Sequence, residues 1–297
     1  MNQITKMHDD EFEVSESLVR KLIENQCPQW ASLFIKSIDS SGTVHALFRL
    51  GSEYVIRLPR IEGAIVNMKK EWKWLPKLAP LLKVPISEPV FKGKPAADYP
   101  WCWTVARWHN GDNPSFEQEN ELEWVAKDLA HFINDLHQIE LPNGPASRRG
   151  TALNEQNFDE ETRKAILELE GEIDTKFVTS LWNYLSNRPA WDRYPVWIHG
   201  DLLPGNIILQ NQRLQAVIDF SDVGVGDPAC DLVISWCLFN SNSQEIFRKS
   251  LKDIDEHTWE RGRGWALSIA LILLPYYKER NPVMAKLARQ MLKNVLK

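Results

Sequence analysis

The spacing of apolar and polar residues divides the chain into a strand-rich first part and a mainly helical second part. In residues 14–26 apolar side chains recur every three or four positions, which predicts a helix capped by Ser15. Alternating runs follow, broken by polar residues and glycine at 40–43 and 51–52, and they predict an antiparallel meander. The predicted strands are residues 34–38, 45–50, 54–58, 90–92 and 101–105.

Beyond the meander, most apolar residues recur at helical spacing. Residues 116–137 predict a long amphipathic helix. Residues 142–159 contain several Gly, Pro and Asn residues without a periodic pattern, and they predict a loop. The predicted helices are residues 65–82, 116–137, 160–169, 177–186, 228–238, 243–251, 259–277 and a final segment from 281 to the end.

Two short apolar runs within residues 196–218 each end at an aspartate. The first delivers Asp201 into a loop punctuated by Pro and Gly, in which Asn206 follows after four intervening residues. The second delivers Asp219. A hairpin turning at residues 211–212 would bring Asp201, Asn206 and Asp219 to one point.

These three side chains suit phosphoryl transfer, which needs oxygen ligands for Mg²⁺ and a separate carboxylate that orients the attacking hydroxyl. Asn206 and Asp219 are the candidate metal ligands, and Asp201 is the candidate base. An isolated aspartate before a turn is usually a cap or turn residue. The prediction therefore depends on the joint occurrence of all three at these spacings.

The segment His199-Gly200-Asp201, with Asn206, Asp219 and the later Asp227-Pro-x-x-Asp231, resembles the aminoglycoside phosphotransferase family of kinase-like enzymes. The resemblance covers nearly the whole chain. It implies an α+β, two-lobed protein-kinase-like fold, with a nucleotide-covering β-meander lobe at residues 1–105 and a larger, mainly helical catalytic lobe at 106–297. His199 is then expected to brace the catalytic loop. Asp227 and Asp231 are expected to hold backbone at the following turn and helix start.

The same resemblance implies ATP or GTP as co-substrate. Ser41 and Gly42 lie where the family has its nucleotide-covering loop, although their residue types equally predict an ordinary hairpin turn. Ala106 and Trp108 lie at the implied hinge, where backbone groups bind the purine, and Trp108 is equally compatible with plain packing.

Arg57 is a cation on an otherwise apolar predicted strand, at the position where kinases carry a phosphate-binding lysine. We expect Glu71, on the next helix, to hold it, because a guanidinium suits both carboxylate and phosphate. The competing cations for the phosphate are Arg60, Lys69 and Lys70.

Composition and net charge limit the classes of partner that the protein can bind. The 297 residues carry a net charge of −5, which offers no basic footprint for nucleic acid and no polybasic membrane patch. The four cysteines match no zinc motif, and we expect them to be small buried hydrophobes. Residues 1–12 do not resemble a signal peptide, and the longest apolar run, 265–275, is too short to span a bilayer. We expect a cytoplasmic protein that is a monomer or weak dimer.

The predicted function is transfer of the γ-phosphoryl group of ATP or GTP to a hydroxyl of a small molecule, with an aminoglycoside antibiotic as first candidate. The acidic balance, Asp222 and the group at residues 253–260, including Glu260, favour a cationic acceptor, although those acids equally suit a helix cap facing water. Two alternatives stay open: a metabolite or macrolide kinase, and a non-catalytic nucleotide-binding regulatory protein. A metal hydrolase using His199, Asp201 and Asp219 would lack the additional His or Asp ligands that such sites need.

Overall fold

The computed structural model describes residues 11–38, 44–96, 98–115 and 122–297. Its first helix, α1 (Glu16–Gln26), begins where the Ser15 hydroxyl accepts a hydrogen bond from the Leu18 backbone N–H at 3.2 Å. The predicted cap is therefore confirmed.

A five-stranded antiparallel sheet follows, in the order β1-β2-β3-β5-β4. Its strands are β1 (Ile35–Ile38), β2 (His45–Leu50), β3 (Tyr54–Pro59), β4 (Pro89–Gly93) and β5 (Trp103–Arg107), with α2 (Ala64–Leu78) between β3 and β4. Successive side chains of a strand point to opposite faces. In β2 the buried Phe48 and Leu50 pack with α1, whereas Leu47 faces the other way, directly opposite Arg57 of β3. The sequence alternation thus turns Arg57 away from the α1 core.

The second part is mainly helical and is built around a long central helix, α8, that packs against α4, α5 and α9. Its helices are α3 (Glu123–His137), α4 (Gln156–Glu168), α5 (Thr175–Ser186), α6 (Ile234–Leu238), α7 (Ser241–Ser250), α8 (Glu256–Tyr277) and α9 (Pro282–Val295). Two antiparallel ribbons carry the catalytic segment: β6 (Val196–Ile198) with β9 (Gly224–Gly226), and β7 (Ile207–Gln210) with β8 (Arg213–Val217).

The buried apolar side chains of the described residues form two hydrophobic cores, one between α1 and the sheet and a larger one among the helices. Trp74, Leu75 and Leu78 of α2 belong to the larger core, and the Trp74 ring lies 5.0 Å from that of Trp197. Because α2 packs into the second core, the lobe boundary at 105/106 stays a prediction. Within the described ranges, no helix has both the length and the hydropathy to cross a membrane.

Several predicted bounds were wrong for local reasons. α4 begins at Gln156, inside the predicted loop, because Phe158 is buried and starts its apolar face. α2 ends at Leu78 and continues as a 3₁₀ turn, Ala79–Leu81, that contains Pro80. α8 begins earlier than predicted, at Glu256, because Asp255 caps it through the Thr258 N–H at 2.7 Å. The helix predicted from residue 116 is described from Glu123, and residues 116–121 lie outside the described ranges.

Candidate active site

The loop that carries Asp201, the predicted catalytic loop, follows β6 and is braced by His199, which is fully buried. His199 Nδ1 accepts a hydrogen bond from the Asp201 backbone N–H at 3.1 Å. The other ring nitrogen, Nε2, lies 3.1 Å from the Ile218 carbonyl oxygen and must carry the proton that it donates there. The imidazole therefore ties the backbone before Asp219 to the backbone of Asp201, as the sequence predicts.

Asp231 also holds the backbone of this loop. Its carboxylate accepts from the backbone N–H groups of His199 at 3.0 Å and Gly200 at 2.9 Å. Burial opposes ionisation, but the hydrogen bond from His137 and nearby imidazole charge hold the Asp231 pKa below its usual value. Gly200 has φ +83°, and a Cβ there would lie 2.7 Å from the Asp222 carbonyl oxygen, so only glycine fits. Asp231 thus holds the catalytic loop instead of the helix start that the sequence predicts.

Asp227 does hold the following turn, since its carboxylate accepts from the Ala229 N–H at 3.0 Å. The same carboxylate pairs with the buried Arg261 at 2.6 Å. This part of the prediction is confirmed.

Asn206 links Asp201 to the second aspartate. Its side-chain Nδ2 donates to the Asp201 carbonyl at 2.8 Å, and its backbone carbonyl accepts from the Ile218 N–H at 2.9 Å. The predicted hairpin is present, with Asn211 and Gln212 at φ +51° and +59°. Asp219 follows β8, also with a positive φ of 59°. The fold therefore brings Asp201, Asn206 and Asp219 together.

Arg57 lies between two carboxylates. Its Nη1 donates to Glu71 Oε2 at 2.9 Å, and its Nη2 donates to Asp219 Oδ1 at 3.3 Å. Desolvation opposes ionisation of Asp219, yet the Arg57 guanidinium holds its pKa below the usual value. Among the competing cations, Arg60 pairs with Glu11 and Lys70 lines a different cavity. The contact between Arg57 and Glu71 is as predicted, and phosphate binding stays a prediction.

His45 is a neighbour of this cluster that the sequence analysis missed. Its Nε2 is buried and has no hydrogen-bond partner among the described residues. Burial, assisted by the charge of Arg57 and opposed by that of Asp219, lowers the pKa of His45 to about 3, so its ring is neutral at physiological pH. The signal was available, because His45 and Leu47 share one face of β2 and Leu47 lies opposite Arg57.

The structure describes only some of the residues that were predicted to contact the nucleotide. Ser41 and Gly42 lie outside the described residues. Ala106 is buried in β5, opposite Val55. The Trp108 backbone N–H already donates to the Glu53 carbonyl at 2.7 Å, so a purine at Trp108 would have to use another group. Both roles stay predictions.

Arg149 is the second residue that sequence reasoning missed. Its Nη1 forms an ion pair with Asp201 Oδ1, donates to the Gly200 carbonyl at 3.1 Å and lies 3.9 Å from Asp222 Oδ2. Arg148 Nη2 lies 3.5 Å from the same Asp222 oxygen. Burial disfavours the charge of Arg149, but Asp201 and Asp222 outweigh it and raise the Arg149 pKa. Two adjacent arginines before Gly150 were the available signal, and nothing local indicates which aspartates they meet.

A cavity of about 690 Å³ opens beside these arginines. Asn67 and Lys70 of α2 form one wall, Arg148 and Asp222 lie in it, and the beginning of α4 forms another wall. Glu260, the other predicted substrate residue, lies half-buried on α8 and does not line this cavity. Its role stays a prediction.

Comparison with known proteins agrees with this geometry. The sequence model of the phosphotransferase enzyme family, APH, matches residues 38–265. This chain belongs to that family. The predicted resemblance and the kinase-like fold are thereby confirmed.

A curated relative of this chain is distant in sequence. Uncharacterized protein YcbJ of Bacillus subtilis strain 168 is 23% identical over 187 residues, which cover 61% of this chain and 56% of that protein. The chain thus spans little more than half the length of this curated relative.

Two solved structures share the fold over nearly the whole chain. The GDP complex of aminoglycoside 2′-phosphotransferase IIIa has a TM-score of 0.68 at 20% identity and covers 95% of this chain and 99% of its own. The macrolide 2′-phosphotransferase MphH of Brachybacterium faecium has a TM-score of 0.61 at 18% identity and covers 92% and 98%. At such identities the likeness shows the fold alone.

Proposed function

We propose that this protein transfers the γ-phosphoryl group of ATP or GTP to a hydroxyl group of a small molecule. The observation that carries the proposal is the meeting of Asp201, Asn206 and Asp219 beside the Arg57–Glu71 ion pair. Phosphoryl transfer is catalysed mainly by positioning and by charge stabilisation, and these residues supply both.

The residues fit a Mg²⁺ ion shared with nucleotide phosphates. Asn206 and Asp219 offer the hard oxygen atoms that Mg²⁺ prefers, and the Asp219 side chain is 41% exposed, so its carboxylate is accessible. Magnesium in nucleotide enzymes keeps few protein ligands. In keeping with this, the described residues contain no group of three or more His, Cys, Asp or Glu side chains that could hold a metal on their own. When bound, the ion would neutralise charge on the phosphates.

The nucleotide would lie between the sheet and the catalytic loop. Arg57, which Glu71 holds, would bind its phosphates through the planar guanidinium. The neutral His45 Nε2 offers a further hydrogen-bonding group at this position. A related fold is known with bound GDP, which supports a nucleotide here, and the choice between ATP and GTP is left to experiment.

On the acceptor side, Asp201 would orient the hydroxyl and accept its proton late in the transfer. The cavity beside Asp222 is large enough for a small molecule. An aminoglycoside and a macrolide are the candidates that the related folds support.

The test is nucleotide-dependent phosphorylation of a panel of aminoglycosides, macrolides, amino alcohols and sugars. Release of nucleoside diphosphate is followed by a coupled assay, and the product is verified by phosphorus NMR. We expect at least one acceptor to raise release, and the Asp201→Asn variant, prepared in parallel, to remove that increase. Nucleotide binding without transfer to any acceptor would favour a regulatory protein instead.

A further inference from the structure

Several cations lie around Asp222 at one side of the acceptor cavity. Arg148 and Lys70 of α2 line the cavity, and Arg149, the next residue of the Arg148 loop, contacts Asp222 without lining the cavity itself. These three cations face two carboxylates, Asp201 and Asp222, both of which already contact an arginine. The group of five therefore carries a net positive charge, whereas the lining residues taken together are acidic because Glu155, Glu160 and Glu161 also face the cavity.

The loop that carries the arginines is held firmly. The Val225 N–H of β9 donates to the Pro145 carbonyl at 2.7 Å, and the Ser147 N–H donates back to Val225 at 3.2 Å. Beyond the arginines, the Asp227 N–H donates to the Gly150 carbonyl at 2.9 Å. The loop thus lies along β9 much as another strand would, so the arginines are preorganised before a ligand binds.

This arrangement argues against Asp222 as the binding site of a cationic group. Its side chain is only 14% exposed, and its carboxylate lies within 3.9 Å of both arginines, so its charge is largely balanced within the protein. The other acids of the cavity, Glu155, Glu160 and Glu161, are exposed at the start of α4, where water and salt screen them. An ammonium group beside the reacting hydroxyl would meet the guanidinium groups instead of a free carboxylate.

We propose that Arg148 and Arg149 bind an anionic group of the acceptor, a carboxylate or a phosphate, close to the hydroxyl that is phosphorylated. The inference rests on the proposed function for that hydroxyl, whereas anion binding does not require turnover. A guanidinium has five N–H donors, so Arg149 keeps Asp201 through Nη1 while its remaining donors serve the ligand. The Arg148 side chain is 56% exposed and lies 5.7 Å above the Phe158 ring, so its donors are accessible from the cavity.

The experiment measures binding of four polyols that differ in charge: gluconate, glycerol 3-phosphate, neutral glucose and cationic glucosamine. Mg²⁺ and a non-hydrolysable ATP or GTP analogue fill the nucleotide site, and calorimetry gives the dissociation constants. We expect at least one anion to bind about tenfold or more tightly than glucose, and gluconate and glycerol 3-phosphate distinguish a carboxylate from a phosphate site. Arg148→Gln should weaken that binding about 10- to 100-fold, the range for hydrogen bonds to charged groups.

Arg188→Gln is the matched control, because Arg188 stacks on Tyr184 at 3.9 Å and does not line the cavity. It should leave anion binding unchanged. The proposal is overturned if neither anion binds, if Arg148→Gln has no more effect than the control, or if glucosamine binds more tightly than both anions. Failure of the proposed function gives a different result, in which anions bind in an Arg148-dependent way but no hydroxyl is ever phosphorylated.

Discussion

Two arginines, each between two carboxylates, lie at the two ends of the catalytic region. Arg57 lies between Glu71 and Asp219, and Arg149 lies between Asp201 and Asp222. The Arg57 side chain is 8% exposed and that of Glu71 is 3% exposed, and both come from regular elements. The Arg149 cluster is assembled from loops, and its side chains are 14–25% exposed. The Arg57–Glu71 pair is therefore buried, whereas the Asp219 side chain, which is 41% exposed, and the Arg149 cluster are partly hydrated.

The difference in burial has an energetic consequence. Removing one partner of a buried ion pair leaves an uncompensated charge and costs about 3–5 kcal/mol. Pairs that water can reach contribute less, because solvent replaces the lost partner. The Arg57–Glu71 pair is thus expected to stabilise the fold as well as to bind phosphate, whereas loss of a carboxylate partner should cost less at the Arg149 cluster.

Asp219→Asn should have the largest effect on activity. It tests whether the cluster around Arg57 binds the nucleotide. The substitution removes the charge of the proposed metal ligand and of the second partner of Arg57, so turnover should fall below detection and Mg²⁺-dependent nucleotide binding should weaken. Diphosphate release and calorimetry with and without Mg²⁺ measure both. Asp253→Asn is a suitable control, since Asp253 has a similar φ of 57°. Normal turnover of Asp219→Asn at ordinary Mg²⁺ would contradict the assignment.

Asp201→Asn should affect the opposite side of the reaction. Loss of a positioned base typically costs about 10²-fold or more in kcat, and the nucleotide dissociation constant should change little because Asp201 belongs to the acceptor side. Steady-state kinetics together with nucleotide titration separates the two quantities. A normal kcat with much weaker nucleotide binding would exchange the roles of the two clusters.

Arg57→Lys keeps the charge but loses the planar fork, so the nucleotide KM should rise about tenfold. Glu71→Ala should raise it similarly and lower the free energy of unfolding by about 3 kcal/mol, because Arg57 is buried. Because the two residues are in contact, their effects in the double variant should not add. Urea denaturation and kinetics give both quantities, and Arg60→Lys, which alters the more exposed pair with Glu11, is the control. Additive effects would show that the buried pair does not act as a unit.

The two clusters also differ in how far the sequence predicts them. Arg57 interrupts an apolar strand and Glu71 lies on the following helix, so periodicity and resemblance together indicate their contact. Arg149 lies in a segment without periodicity, and its contact with Asp201 depends on how residues 145–150 lie along β9. β9 itself is only three residues long and includes two glycines, which give little strand signal. Contacts between distant loops depend on such packing, which a local pattern does not encode.

Asp222→Asn should have the smallest effect and decides between two expectations of opposite sign. In the first, which is the expectation from the sequence, Asp222 is the residue that receives a cationic acceptor. In that case the substitution weakens binding of glucosamine. If Asp222 instead balances Arg148 and Arg149, the substitution releases positive charge into the cavity and gluconate binds more tightly, by roughly threefold for a partly exposed pair. Calorimetry with gluconate and glucosamine at low and high salt measures the change. We expect the gain for gluconate to shrink as salt rises, because the released charge is screened within about 10 Å at 0.1 M ionic strength. Tighter gluconate binding that disappears when Arg148→Gln is added would place the effect at the arginines themselves, since the two substitutions act on one contact.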